Sequence, residues 1–222
     1  MEHYMKKLLT LSLFALALSA CKTEIEKDIS LNKLLTQPLQ AETALLNVEL
    51  LSCNNLEDSR IPSDSLVKIK QKIPTLFNGA VFKECYSKRA QSMAVFEIPV
   101  GVGIIKDGMD VPFDIAIYSY DNRPLNIRTK KELSKKIIDF VNTEYLPNFE
   151  FSVLLNVKND TAEDKQYTMY SVYIDDYPLS VGKFKFEKNE TLKIKLSNVS
   201  ADMLWKYGDD RRVTVFEIPK AE

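Results

Sequence analysis

Histidine occurs once in the 222 residues, at His3, tryptophan once, cysteine three times and glycine six times. The histidine lies inside a segment that reads as a cleavable leader, so the mature chain is expected to carry none. That excludes His-based general acid–base chemistry, Ser-His-Asp and Cys-His nucleophile systems, and zinc sites that need imidazole. No glycine-rich phosphate loop and no G-x-S-x-G elbow is present. Neither sign of charge dominates, with 30 Lys and Arg against 31 Asp and Glu. A nucleic-acid binder needs a basic excess to displace counterions from phosphates, so no nucleic-acid partner is expected. The expectation is a chain with no cofactor, no metal and no enzymatic activity.

The apolar share is 45%, enough for one large packed domain or two small ones. The longest apolar run, Leu8 to Leu18, is too short to span a bilayer comfortably as a mature helix. It follows Lys6 and Lys7 and ends in small residues, which is the layout of a signal peptide. Met5 is a second candidate for the start. The segment Leu18-Ser19-Ala20-Cys21 resembles the lipobox of bacterial lipoproteins, in which Leu, Ala or Ser, and Gly or Ala precede the cysteine. The alternative is an ordinary signal peptide whose cleavage site falls near a cysteine.

What the resemblance implies is cleavage before Cys21, diacylglycerol on its sulfur and acylation of the new amine. Membrane lipid is then the first partner, and two or more acyl chains hold firmly where one binds only marginally. Lipoproteins of this kind that stay in the inner membrane usually carry Asp after the cysteine. Lys22 therefore favours the outer membrane, facing the periplasm. In leader and size the chain is similar to uncharacterised lipoproteins of enteric bacteria and their prophages, one known role of which is to exclude competing phage by blocking an outer-membrane receptor. The resemblance implies a non-catalytic binding or interaction role with an envelope protein as a possible partner.

With Cys21 lipidated, Cys53 and Cys85 remain as an even pair in an exported chain, which reads as a disulfide. A reactive or redox pair is the alternative, without a CxxC spacing or a histidine to favour it. Residues 1–20 are then a signal peptide, and 21–43, mostly polar, read as the lipidated cysteine and a tether with a short helical piece near Leu31 to Leu35.

Beyond the tether, apolar spacing alternates between strand and helix periods. Residues 44–108 read as strand Ala44–Cys53, helix Ser63–Phe77, and strands Ala80–Tyr86 and Met93–Val100. Residues 109–222 repeat the order with strand Phe113–Tyr120, helix Thr129–Thr143 and strands Phe149–Val157 and Tyr167–Ile174. A C-terminal segment adds strands Leu179–Glu187 and Thr191–Leu196, a helical turn at Ala201–Lys206 and strand Arg212–Ile218. The expected fold is α+β, two β-α-β-β units with an added β segment. A right-handed crossover would set the first two strands parallel and adjacent, with both cysteines near their C-terminal ends. Thr129 and Glu132 form a capping-box pattern for the second helix.

The tetrapeptide Phe-Glu-Ile-Pro at 96–99 and again at 216–219 reads as two edge strands stopped by proline. Gly101, Gly103 and Gly108 flank a Lys-Asp-Gly turn and read as hairpin punctuation. The acidic pairs Asp175-Asp176 and Asp209-Asp210, with Asp202, have two readings. One is a carboxylate pair for glycan hydrolysis or a calcium site; the other, favoured by composition, is turns. The aromatic run Tyr167, Tyr170, Tyr173 and Tyr177, with Trp205 and Tyr207, offers a binding face or half-buried sheet packing. Lys130, Lys131, Lys135 and Lys136 form a solvated helix face or a contact for anionic lipid. The sequon-like Asn159, Asn189 and Asn198 read as turns. Alternatives to a binding role are a glycan-active envelope enzyme and a scaffold for envelope assembly.

Overall fold

The computed structural model describes residues 22–88, 91–208 and 210–219. Strand β1 (Lys22–Ser30) leads through helix α1 (Leu31–Thr36) to β2 (Gln40–Leu50), then α2 (Asp64–Leu76), β3 (Val81–Lys88) and β4 (Gln91–Ile104). The chain continues as β5 (Ile115–Tyr120), β6 (Arg123–Thr129), α3 (Lys131–Thr143), β7 (Glu150–Lys158) and β8 (Lys165–Ile174). It ends with β9 (Tyr177–Phe186), β10 (Thr191–Leu196), α4 (Asn198–Met203) and β11 (Arg211–Glu217).

The strands pair in the order β10-β7-β1-β2-β4-β5-β6-β11-β8, and β8 returns to β10, so nine strands close a barrel. β3 adds to β4 outside this ring and β9 adds to β8. The expected α+β architecture is therefore incorrect: the fold is a mostly-β closed barrel with short helices at its ends. β4 and β5 pair in parallel across the expected 108/109 boundary, so the two β-α-β-β units belong to one sheet. The segment 21–43 is no tether either, since residues 22–30 are a strand paired on both sides, by β2 and β7.

Alternation explains the barrel. On β1 and β10 the inward residues Ile25, Ile29, Leu192 and Ile194 are buried in the main core. On the outer wall Glu24 pairs with Lys195, and the Asn156 amide donates to Glu26 and Asp28. An apolar interior and a charged wall are the inverse of a membrane-spanning barrel, whose lipid-facing wall must be apolar. Phe96, Leu46, Ile98, Ile117 and Leu125 pack in the interior, each almost wholly buried.

The ends are closed differently. Helix α1 lays the fully buried Leu31 and Leu34 into one end. Its exit runs against β4 at Gly103, where φ is +136° and a Cβ would come within 2.5 Å of the Pro38 carbonyl oxygen, so only glycine fits. Helices α2 and α3 cover the opposite end, where Ile69, Ile73, Ile137 and Phe140 face Thr23 and Val48 across a narrow gap of only about 20 Å³. Ser63 caps α2 as its sequence suggests, accepting from the Leu66 N–H. The capping box expected at Thr129 is not formed. The N-cap is Lys130, Thr129 donates its hydroxyl to the Leu204 carbonyl, and Asp210 instead accepts from the Lys131 N–H at 2.9 Å.

Cys53 and Cys85 are bonded, with Cα atoms 5.7 Å apart. β2, which ends at Leu50 and so leaves Cys53 in the loop beyond it, and β3, which holds Cys85, run the same way but are not adjacent: both pair antiparallel with β4, which lies between them. Nor does Pro99 stop an edge strand. β4 runs through it to Ile104, and Pro99 falls between the residues that pair with β3, ending at Glu97, and those that pair with β5, starting at Gly101. No N–H is needed there, which is why proline is tolerated inside a long strand.

One closure is irregular. β8 pairs with β11 through Thr168 and Met169, then with β10 through Val172 to Ile174. Between them Ser171 takes φ of 49°, and its carbonyl accepts from the Ser197 N–H at 2.9 Å.

Candidate functional site

The acidic residues singled out above do not converge. Asp175 and Asp176 take φ of 48° and 74° in the tight turn between β8 and β9. Asp202 pairs with Lys206 one helical turn away at 2.6 Å, and Asp210 caps α3. Asp209 and the lipidation candidate Cys21 lie outside the described residues. Among the described residues no cluster of acidic, cysteine or histidine side chains has the geometry of a metal site. The aromatic run is divided by the barrel wall. Tyr167 is buried against Phe216, with ring centroids 4.9 Å apart, and burial pushes its hydroxyl up to about 12. Tyr170 points outward and donates to Glu217, while Tyr173 and Tyr177 are exposed. Of the lysines, Lys131 and Lys135 are exposed and Lys136 donates to Asn78. Asn159 is fully buried, its amide donating to the carbonyls of Glu163, Phe186 and Glu187.

Two open cavities stand out among the described residues. The first, about 450 Å³, lies at the α1 end among Asp28, Ser30, Lys33, Glu42, Lys158 and Asp160. Its charges already have partners. Asp160 accepts from the Ser30 hydroxyl and the Asn32 N–H at the start of α1. Glu42 lies between Lys27, at 2.8 Å, and Lys33. Burial acts to raise both carboxyls, but these hydrogen bonds and the two ammonium groups outweigh it and hold both below their ordinary values. At the other end the Lys68 ammonium, opposed by burial and helped by Lys72, does the same for Glu144.

A carboxyl group depressed on folding contributes stability that is present above its unfolded value and lost as pH falls through the folded one. Unfolding free energy is therefore expected to be steady near neutrality and to fall below about pH 4.5, the ordinary value for Glu42 and Glu144. In urea titrations across that range, Glu42→Gln is expected to be less stable at pH 7 and to show a shallower acid loss. An unchanged slope would remove Glu42 from this role.

The second cavity, about 350 Å³, opens on the outer wall among Tyr118, Arg128, Asp210, Arg211 and Arg212. Strand period places it: Tyr118 on β5 and Arg128 on β6 both point outward, and Arg212 stands beside Arg128 in the β6–β11 register. The Tyr118 ring is buried, held in a small outer cluster with Ile105, Val111 and Ala116, and forms an apolar floor. This cluster seats Phe113 on Gly101, where a Cβ would lie 2.4 Å from the ring. Arg211 stacks on Tyr207 at 4.8 Å. Arg128 reaches Asp210 at only 3.7 Å, and that carboxylate is shared with the α3 N-terminus. Arg212 has no carboxylate partner among the described residues. Arg128 and Arg212, side by side on the outer wall, present fork-shaped donors suited to a phosphate or carboxylate group. The sequence signal is present in Arg211-Arg212, but Arg128 joins it only through pairing of β6 with β11, and the polar RPLNIRT of β6 carries little strand signal.

Residues 23–220 match a family described as a domain of unknown function, DUF7424. The chain belongs to that family. The match begins within β1 and ends beyond β11, so the DUF7424 domain is the whole barrel rather than one of its halves. No curated protein and no solved structure matches the chain. Among the described residues of this DUF7424 domain, no helix is long and apolar enough to cross a membrane.

Proposed function

We propose that the protein is a lipid-anchored component of the bacterial cell envelope, fastened through Cys21, whose barrel is a non-catalytic binding module for an anionic group of an envelope partner. The observation that carries the binding role is the arginine cleft. The inward side chains pack into one core, and on the outer wall Arg128 and Arg212 stand side by side in a cleft floored by Tyr118 and lined also by Asp210 and Arg211. The lipobox resemblance supports the anchor, and the outer membrane with the periplasmic face remains the favoured address. A prophage-linked role fits the same leader.

Pyrophosphate serves as the probe. In calorimetric titrations, Arg128→Ala with Arg212→Ala is expected to weaken its binding about tenfold or more, since each charge-assisted contact contributes about 1.5–3 kcal/mol. Absence of any binding by the unaltered protein, or equal binding by the double variant, would set the cleft aside. Mass spectrometry of the N-terminal peptide tests the anchor: a diacylglyceryl-modified Cys21 is expected, and an unmodified N-terminus at another residue would overturn it.

A further inference from the structure

Lys22 is both the first residue after the proposed lipid attachment and the first residue of β1, in register with Glu150 of β7. The neighbouring pair Thr23 with Val48 sets Lys22 beside Glu49 on β2. Consecutive Cα atoms are about 3.8 Å apart, so a lipid on Cys21 leaves no linker between barrel and bilayer. The rim where β1 begins must then rest at the headgroup layer.

The segment that leaves this rim beside Lys22 is the loop 51–62, which follows the end of β2. It exposes Leu51 at 65%, Leu56 at 94% and Ile61 at 48%, and Val67 on the first turns of α2 is 41% exposed. Single exposed aliphatic residues are ordinary on a soluble protein. Four of them within one short stretch, at the one rim that cannot move away from the membrane, are not explained by that rule.

The loop is also built to hold its shape. Asn54 and Pro62 form a bridge, the Asn55 N–H donates to the Ile61 carbonyl at 3.0 Å, and the Ser63 N–H donates to the Cys53 carbonyl at 3.0 Å. The Cys53–Cys85 bond ties its base to β3. Asp58, the acidic group of the tip with a fixed partner, is paired twice by Arg60 at 2.8 Å. Internally paired backbone and a neutralised charge are what a loop needs before its apolar side chains can enter a layer poor in water. Glu57, beside Leu56, remains for the headgroup side.

We propose that loop 51–62 is a membrane-contacting loop that seats Leu51, Leu56 and Ile61 at the headgroup–acyl boundary of the bilayer to which Cys21 is fastened. It rests on the reading of Cys21 as the lipid attachment. The partner is the phospholipid surface itself, and lipid and loop together fix the barrel in one orientation, with the α1 end away from the membrane.

The test uses the full mature lipoprotein in vesicles of phosphatidylethanolamine and phosphatidylglycerol, with and without phospholipid brominated along its acyl chains. Leu56→Trp adds an indole at the loop tip, and Val181→Trp, on the exposed side of β9, is the control; Trp205 is common to both. Brominated lipid is expected to quench the Leu56→Trp increment by about half and to leave the Val181→Trp increment unchanged. If Cys21 carries lipid by mass spectrometry and neither increment is quenched, or both are quenched equally, the loop proposal is overturned while the anchor stands. If Cys21 carries none, the anchor fails and the loop proposal falls with it.

Discussion

Phe216→Ala is expected to lower the unfolding free energy by about 3–5 kcal/mol, the range for emptying a fully buried aromatic site. Phe216 is buried on β11, stacked on Tyr167 and set edge-on to Phe186 with centroids 6.3 Å apart. Those partners come from β8 and β9, so one side chain ties the last strand to the hairpin that closes the ring. Only Phe216 and Glu217 pair with β8, which leaves little backbone pairing to hold the contact once the ring is gone. With typical total stabilities of about 5–15 kcal/mol, such a loss removes a large share. Urea denaturation followed by circular dichroism would measure it, and amide exchange should rise first in β8 and β9. A loss below about 1 kcal/mol, or exchange that rises uniformly, would show that closure does not depend on this ring.

Removing the disulfide is the second large effect. Cys53→Ala with Cys85→Ala is expected to destabilise the domain by about 3–4 kcal/mol, the loop-closure entropy for a separation of 32 residues. The closed loop contains α2 and the first part of β3, and β3 pairs with the ring along one edge, with β4. The loss should therefore be felt most in β3 and in loop 51–62, while the barrel strands keep their protection at low denaturant. Chemical denaturation of the double variant against the oxidised protein gives the magnitude. A difference under about 1 kcal/mol would mean that the unfolded chain is compact enough already to make the bond redundant.

Several features were legible before the fold was known. The apolar stripe Leu66, Ile69, Ile73 and Leu76 located α2, Ser63 marked its start, and the even cysteine pair gave the disulfide. The architecture was not legible, for identifiable reasons. β1 reads KTEIEKDIS, in which only Ile25 and Ile29 are apolar among charged and hydroxyl residues, so its polarity resembles a linker. β6 reads RPLNIRT, in which an inward Leu and Ile stand among a proline, an asparagine and two arginines. Without these two strands the remaining elements fall into β-α-β-β repeats, and ring closure is invisible. The cleft suffered likewise, because register between strands distant in sequence brings Arg128 to Arg212, and no local pattern encodes register.

The handover at Ser171 has a further meaning in the geometry of directions. Seven of the nine contacts around the ring are antiparallel and two, β1 with β7 and β4 with β5, are parallel. An odd number of reversals cannot return to its starting sense, so nine straight staves could not form this cask. The mismatch is absorbed at β8. Its far edge is taken by β9 for its whole length, leaving β11 and β10 to meet it end to end along the same near edge. The ring is thus an eight-strand strip whose two margins are clasped by a hairpin lying across them, with five register pairs in the clasp. A clasp of that kind can lift as one piece, exposing the strip's margins while every other pairing in the wall stays intact.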